Sequence, residues 1–209
     1  DLWPAIFVEL GVLRNRIIIK MLEWIELFLY RQSAAVVTVT KRFRDDIIGR
    51  GIEKNKVHVI TNGVDLDRFY PREKDSGLCG ELGLRGRFIV LYIGAHGISH
   101  ALSRVVDAAA ECRSESDIVF VFVGEGAEKK RVEEHARRRA VTNCMFLDGV
   151  PKDQVTRYYS IMDIGLVPLR DVALFETFIP SKMFEIMGMG KPIVASVRGE
   201  AAGILEESG

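Results

Sequence analysis

The chain is poor in the features that mark several protein classes. Its only cysteines, Cys79, Cys112 and Cys144, are widely spaced and form no metal-like pair, so we expect reduced thiols in a cytosolic protein. Lysine plus arginine number 29, as do aspartate plus glutamate, and this balance argues against a nucleic-acid partner because no excess cation remains for phosphates. With 48% hydrophobic residues, the 209-residue chain still has enough apolar mass for a globular core.

The sequence also lacks a segment apolar enough to span a membrane. Residues 14–32 come nearest, but charged side chains interrupt them, whereas a spanning helix needs about 20 nearly uncharged residues. We predict a mostly buried helix here. The alternative is a helix that also touches a membrane surface, with Arg14 and Arg16 among lipid headgroups.

Catalytic signatures of several enzyme classes are missing as well. There is no H-E-x-x-H, no other zinc-like histidine spacing and no G-x-S-x-G, so we expect neither a catalytic metal nor an assembled nucleophile triad. A Walker loop is absent, and Lys129 stands where the third glycine of a dinucleotide fingerprint would fall. We assign the mixed-charge run around Lys129 to a solvated helix face. No signal peptide is visible. Because the chain has no initiator methionine and its last residues are typical of a helix end rather than a finished terminus, we expect a fragment of a longer protein.

What the sequence does contain is a regular alternation of strands and helices. The patterns predict strands at 34–40, 57–60, 88–93, 118–123, 144–147, 164–168 and 193–196, and helices at 41–50, 99–113, 127–140, 152–161 and 200–207. Residues 66–80 lack apolar periodicity and are assigned to a linker or domain boundary. From residue 81 onward, this alternation predicts an α/β domain with a doubly wound parallel sheet.

Four loops of such a sheet share one rim, because ligands bind beyond the carboxyl ends of its strands. These loops are residues 94–98, 124–126, 148–151 and 169–182. Glycines in the first two allow close approach to a ligand, although tight turns explain them equally well. His96, at the end of a strand, is positioned to donate to a phosphate oxygen.

The stretch 178–196 carries the strongest signal. Pro180 suits the first position of a helix and Gly190 suits its C-terminal cap. Free N–H groups at residues 181–183 and the helix dipole favour an anion, and Lys182 opposes that dipole unless an anion such as a diphosphate is bound. The residues alone therefore predict a rim site for an anionic, nucleotide-like ligand, without naming a reaction.

Several stretches together resemble the retaining glycosyltransferases of family 4, which have the two-domain GT-B fold. They are Ile179-Pro180-Ser181-Lys182 with Phe184-Glu185, Gly190-Lys191-Pro192, Thr61-Asn62-Gly63-Val64-Asp65, Val123-Gly124-Glu125-Gly126 and Phe146-Leu147-Asp148-Gly149-Val150. Asp1-Leu2-Trp3-Pro4 with Leu10-Gly11 resembles the branch that acts on bacterial amino-sugar polysaccharides and related lipid-linked glycans.

The resemblance implies a domain organisation and a function. Residues 1–67 would be the C-terminal part of an acceptor domain, 68–80 a linker, and 81–209 a Rossmann-like donor domain truncated at its C-terminus. The intact enzyme would move a sugar, with retention, from a nucleotide-diphosphate donor (a UDP-sugar is expected) to a glycan or lipid-linked acceptor, without a cofactor. The fragment alone would be inactive. A UDP-sugar epimerase and a non-catalytic nucleotide-sugar-binding module remain as alternatives, and the expected location is cytoplasmic, with peripheral contact at the inner face of the membrane left open.

The resemblance also implies roles for individual residues. Glu185 would hold the ribose hydroxyls through its carboxylate, although it could instead simply favour the helix N-terminus. The remaining donor-binding residues would be Gly94, His96, Gly97, Gly149, Val150, Phe178, Ile179, Ser181 and Lys182.

Two departures from the family pattern matter. The family places a second glutamate eight residues before the one at Glu185, where this chain has Thr177, with Glu176 one residue early. Glu176 and Thr177 are therefore both candidates for holding the sugar, and with Lys182 they form the expected catalytic set. Ala95 and His100 occupy the positions of the family's usual arginine and lysine, which leaves Lys182 as the main positive group for the diphosphate.

Overall fold

The computed structural model describes residues 4–209, so the motif at Asp1-Leu2-Trp3 lies outside the described residues. The chain forms two compact units. Unit 1 comprises the described residues through Asn62 together with Asp171–Ile179 and Val197–Gly209, and unit 2 comprises Gly63–Arg170 and Pro180–Ser196.

The described chain contains seven strands and nine α-helices, joined in places by single 3-10 turns. The strands are β1 (Val36–Thr38), β2 (Val57–Val59), β3 (Phe88–Ile93), β4 (Ile118–Val123), β5 (Cys144–Leu147), β6 (Ile164–Pro168) and β7 (Ile193–Ser196). The helices are α1 (Ala5–Glu9), α2 (Arg16–Gln32), α3 (Lys41–Gly49), α4 (Ser76–Glu81), α5 (Leu102–Glu111), α6 (Lys129–Arg138), α7 (Val155–Ile161), α8 (Ser181–Gly188) and α9 (Glu200–Ser208).

Unit 2 is built on a five-stranded parallel sheet in the order β5-β4-β3-β6-β7. All five strands have the predicted bounds, and the predicted doubly wound parallel α/β fold is confirmed. The central strands are buried because their residues are almost all β-branched or aromatic, as strands covered by helices on both faces require. Val106 on α5, Val132 on α6 and Phe122 of β4 belong to the same buried core cluster.

The helices of unit 2 depart further from the sequence predictions. The helix predicted at 99–113 begins only at Leu102, because a 3-10 turn over Ile98–His100 and a left-handed Ala101 (φ 47°) precede it. Helices α6 and α7 are shorter than predicted. Residues 66–80 contain the start of α4, which begins where the Asp75 carboxylate caps the Leu78 N–H at 2.8 Å. This one-and-a-half-turn helix is too short to show a period.

Unit 1 contains the parallel pair β1–β2 and the helices α1, α2, α3 and α9. The prediction that residues 14–32 form a mostly buried helix is wrong in its burial. Glu26 is the one buried side chain of α2, where it accepts hydrogen bonds from Arg50 at 2.6 Å and Tyr30 at 2.9 Å. Apolar side chains of the same helix are exposed, since within the described residues only part of its surface packs against the small core around β1 and β2. In residues 4–209, no helix combines the length and the apolarity needed to cross a membrane.

Candidate donor site

The candidate site lies at the carboxyl end of β3, where the sheet order turns from β3 towards β6. This is the switch point at which doubly wound sheets bind ligands, since the loops after the two strands diverge to opposite faces. The loop after β3 begins at Gly94, and helix α8 starts beside it at Ser181 rather than at Pro180, which serves as the N-cap.

Lys182, in the first turn of α8, points its ammonium group into this crevice. Its Nζ is buried without a hydrogen-bond partner among residues 4–209 and lies 3.8 Å from the centroid of the Tyr92 ring. Burial lowers the pKa of Lys182 to about 7, although nearby Glu185 acts in the opposite direction. A Cβ added to Gly94 would come within 2.8 Å of this Nζ, so the lysine position depends on a glycine there.

Two histidines join Lys182 around the Tyr92 ring. His96 is fully buried, and neither of its ring nitrogens has a partner within the described chain. Burial, helped by the positive charges of Lys129 and Lys182, lowers the pKa of His96 to about 4, and burial likewise lowers that of His100 to about 4. The rings of His96 and His100 lie 5.7 Å and 5.8 Å from that of Tyr92. Neutral imidazoles and a lysine of lowered pKa, with buried nitrogens that lack hydrogen-bond partners among the described residues, form a site that an anionic, hydrogen-bonding ligand would complete.

The start of α8 offers fewer free N–H groups than the sequence predicted. The expected set was residues 181–183, but the Met183 N–H donates to the Pro180 carbonyl at 3.0 Å. A 3-10 bond in the first turn satisfies this donor, as often happens at helix ends. Ser181 is exposed, and Gly190 caps the other end with φ 64°, as predicted.

Glu185 lies one turn beyond Lys182 and has a partner that the sequence did not reveal. The Tyr159 hydroxyl, on α7, donates to Glu185 Oε2 at 2.8 Å. Tyr159 is 1% exposed, and burial together with the adjacent carboxylate raises its pKa well above the usual value. Only its position within a predicted helix could have indicated this tyrosine, and that position does not distinguish it from a core aromatic.

The glycines of the loop after β4 serve packing between loops. A Cβ at Gly124 would lie 2.0 Å from the Gly94 carbonyl, and one at Gly126 would lie 2.5 Å from the His96 carbonyl. The His96 N–H donates to the Glu125 carbonyl at 2.8 Å, which fixes the histidine loop on this neighbour. The close approach that glycine permits is used here, within the protein itself.

Lys129 ties two rim loops together. Its Nζ lies 2.7 Å from both Glu125 Oε1 and Asp148 Oδ1, and 3.2 Å from the Leu147 carbonyl. Its side chain is 12% exposed, so the assignment of this residue to a solvated helix face is wrong. Glu125 also accepts from the Gly149 N–H at 3.3 Å, next to half-buried Val150. Lys129 thus helps to hold the backbone at 149–150, which was predicted to contact the base. In the sequence, this lysine was noted because it stands where a dinucleotide fingerprint has its third glycine.

The remaining predicted site residues divide between the units. Gly97 lies in unit 2 with room for a side chain, since the nearest atoms to an added Cβ are 3.8 Å away. Phe178 and Ile179 belong to unit 1, where the Phe178 ring packs edge-on against Phe43 and the Ile179 carbonyl accepts from Asn62 at 3.2 Å.

Glu176 and Thr177 also belong to unit 1, in a 3-10 turn spanning Ala173–Thr177. Glu176 pairs with Arg42 at 2.9 Å, with 30% of its side chain exposed. The Thr177 hydroxyl donates to the Leu174 carbonyl at 2.6 Å, which leaves its oxygen free only as an acceptor. Across residues 4–209, no group of histidine, cysteine, aspartate and glutamate side chains has the arrangement of a metal site.

Comparison with known proteins identifies the family. Residues 87–209 match the family described as Glycosyl transferases group 1, and residues 9–68 match Glycosyltransferase Family 4. WcaI of Escherichia coli strain K12, provisionally named a colanic acid biosynthesis glycosyl transferase, is 28% identical over 158 residues, which cover 74% of this chain and 38% of WcaI. Alpha-D-kanosaminyltransferase of Streptomyces kanamyceticus is 25% identical over 187 residues, covering 87% of this chain and 47% of that protein.

Among solved structures, HepE of Anabaena in complex with UDP-glucose superposes with a TM-score of 0.74 at 20% identity, over 89% of this chain and 51% of HepE. This likeness concerns the fold and agrees with the predicted GT-B type. The chain spans about half the length of the relatives it matches, or less. Its family matches cover most of its length, and the chain belongs to the group 1 glycosyl transferases, with a segment that matches family 4 preceding the group 1 match.

Proposed function

We propose that the intact protein transfers a sugar from a nucleotide-diphosphate donor, a UDP-sugar, to a glycan or lipid-linked acceptor with retention of configuration. The observation that carries this proposal is the buried, unpartnered Nζ of Lys182 beside His96 at the switch point of the sheet. Membership of the glycosyl transferase family supports the reaction type, and the UDP-glucose complex of HepE supports the donor class.

The chemistry follows from where charge develops. As the bond between sugar and diphosphate breaks, the leaving diphosphate gains negative charge, and a positive group fixed beside it stabilises the transition state more than the ground state. Lys182 supplies that charge at the start of α8. Neutral His96 supplies a neighbouring N–H donor without adding the cost of a second buried cation.

The other donor contacts follow from chemistry and from the family resemblance. The Glu185 carboxylate accepts hydrogen bonds from the two ribose hydroxyls. The backbone at Gly149 and Val150 contacts the base, and Glu176 or Thr177 contacts the sugar. Because Lys182 would hold a positive charge beside the bound diphosphate, we propose that no metal or other cofactor takes part, and transfer should then withstand EDTA.

The direct test is a screen of nucleotide sugars with the full-length protein, followed by a Lys182→Ala variant. We expect kcat with the best donor to fall by about 100-fold or more, with a smaller change in donor affinity, because the interaction strengthens in the transition state. Exposed Lys152 provides the control, and Lys152→Ala should turn over normally. Normal turnover by Lys182→Ala would refute the assignment.

One observation favours a second candidate, a nucleotide-sugar-binding module without catalysis. Glu176 is paired with Arg42, and the family's regular first glutamate is replaced by Thr177. Calorimetric binding of UDP by the full-length protein without transfer to any acceptor would support the module. Product analysis with donor alone would reveal an epimerase, since a changed sugar would then form without acceptor.

We also propose that the protein works in the cytoplasm, in peripheral contact with the inner face of the membrane. On α2, the positions of Ile17, Met21, Trp24 and Phe28 are spaced along one helix face, and Ile17 is 81% and Trp24 63% exposed. Arg14 and Arg16 at the start of α2 match anionic headgroups in charge.

A flotation experiment tests this contact with vesicles of phosphatidylglycerol or phosphatidylcholine. The full-length protein should float with the anionic vesicles, and Trp24→Glu should abolish flotation, whereas Leu66→Glu, at another exposed apolar side chain, should not. Flotation that Trp24→Glu leaves unchanged would exclude α2 as the contact.

A further inference from the structure

The hydroxyl of Tyr159 contacts the carboxylate of Glu185, which is predicted to bind the ribose. The tyrosine ring is fully packed, lying 6.0 Å from Phe69 in an edge-on arrangement, and its hydroxyl reaches Glu185 Oε2 at 2.8 Å. The ring alone would satisfy this packing, so a phenylalanine would fill the same volume. The hydroxyl therefore calls for its own explanation, because a buried donor costs free energy unless it is bonded.

The bond restricts Glu185 more than it restricts Tyr159. A glutamate has three rotatable side-chain bonds, and Glu185 is only partly buried at the mouth of the site. Tyr159 holds one carboxylate oxygen and stays protonated at physiological pH, because burial and Glu185 both raise its pKa. The second oxygen, Oε1, accepts no hydrogen bond from residues 4–209, so both of its lone pairs are available to a ligand.

We propose that Tyr159 is a positioning residue that fixes the Glu185 carboxylate for a vicinal diol, so that the site selects ribonucleoside over 2′-deoxyribonucleoside diphosphate sugars. This inference rests on the proposed function. A carboxylate held in one orientation accepts hydrogen bonds from two adjacent hydroxyls at once. A mobile carboxylate gains little binding free energy from the second hydroxyl. Sites built to bond a hydroxyl discriminate strongly against the analogue that lacks it, because the buried acceptor is then left unpaired.

Calorimetric titration of the full-length protein with UDP and with dUDP tests the proposal. We expect the wild type to bind UDP about tenfold more tightly than dUDP, in line with the loss of one hydrogen bond to a charged group. Tyr159→Phe should weaken UDP binding by about three- to tenfold, leave dUDP nearly unchanged and so reduce the preference to below about threefold. The adjacent, half-buried Tyr158 provides the control, and Tyr158→Phe should keep the wild-type preference.

A second variant separates positioning from folding. Glu185→Asp keeps the charge but withdraws the carboxylate from Tyr159 by one methylene, and it should lose the preference just as Tyr159→Phe does. If folded Tyr159→Phe protein keeps the preference for UDP over dUDP, Tyr159 has no positioning role. This holds whether Glu185→Asp keeps the preference or loses it. Failure of the wild type to bind UDP at all would instead refute the proposed function, so the two failures are distinguishable.

Discussion

The ammonium group of Lys182 lies 3.8 Å from the centre of the Tyr92 ring and has no hydrogen-bond partner among the described residues. The π face replaces the hydration of the ammonium group only in part, since it stabilises a desolvated cation by about 2 kcal/mol. A buried amine kept in this state costs stability, and such a cost usually marks a functional position. Predictions about stability, pH and neighbouring residues follow from this contact.

Replacement of Lys182 by methionine should stabilise the fold at acidic and neutral pH. The pKa of Lys182 is about 7 in the folded protein and 10.5 for an unperturbed lysine, so the folded state binds fewer protons than the unfolded state between these pH values. The free energy that the wild type loses by burying the charged Lys182 is therefore largest below pH 7, and it decreases as the pH rises towards 10.5. At pH 6 we expect Lys182→Met to unfold with a free energy higher by roughly 1–3 kcal/mol, with a difference that narrows towards pH 10.

Urea unfolding of the two proteins across this pH range measures the effect, and exposed Lys152→Met controls for the loss of a charge. If the free energy of unfolding of Lys182→Met at pH 6 is equal to or lower than that of the wild type, Lys182 is not a desolvated amine in the folded protein.

Binding of UDP should draw a proton onto Lys182. An anion beside the amine favours its charged form, so a protein with neutral Lys182 must take up a proton on binding. UDP affinity should therefore fall as pH rises above about 7, by up to about tenfold per pH unit. Calorimetry in buffers of different ionisation enthalpy counts the protons. Uptake should be near zero for Lys182→Met, and equal uptake by both proteins would assign the proton elsewhere.

Alanine at Gly94 should damage the site through Lys182. Its Cβ would lie 2.8 Å from Nζ, and φ at Gly94 is 142°, which alanine rarely adopts. We expect Gly94→Ala to lose about tenfold or more in kcat, because a small displacement of a charged group from the reacting atoms is costly. Gly49→Ala, on α3 with no atom near the added methyl, should keep normal kcat. Equal kcat for both variants would mean that Lys182 tolerates movement.

The bounds of the strands of the sheet could be predicted to the residue from runs rich in β-branched and aromatic residues, and two of these runs, Phe88–Ile93 and Ile118–Val123, end directly before a glycine. The parallel sheet then brought Gly94 and His96 to the rim by a general rule. Lys182 could also be identified from local sequence, because a cation in the first turn of a helix is unfavourable next to the positive end of the helix dipole.

What the sequence could not reveal depends on contacts between distant residues. Tyr159 and Glu185 are 26 residues apart, and Lys129 and Asp148 are 19 apart, so neither pair leaves a periodic signal. The prediction that α2 is mostly buried failed for a related reason. The spacing of apolar residues predicts a helix, but it does not reveal which face of that helix packs against a neighbouring element. Glu176 shows the same limit, because the sequence gives its spacing from Glu185 but not its pairing with Arg42.

Removal of the Lys129 ammonium should weaken donor binding and spare the chemical step. Lys129 is the common partner of Asp148 and Glu125 and joins the two loops. Its hydrogen bond to Asp148 lowers the pKa of that carboxyl, so the Asp148 carboxylate stays ionised at neutral pH. In Lys129→Met the carboxylates repel each other and the backbone at Gly149 is released. We expect donor KM to rise by about three- to tenfold with kcat changed less than about twofold, since in the proposed function the loop contacts the base rather than the reacting atoms. Steady-state kinetics of the full-length protein measures this split, with exposed Lys130→Met as the matched control. A fall in kcat at constant KM would show that the Lys129 loops act in the transition state, and unchanged values of both would show that Asp148 and Glu125 hold the rim without it.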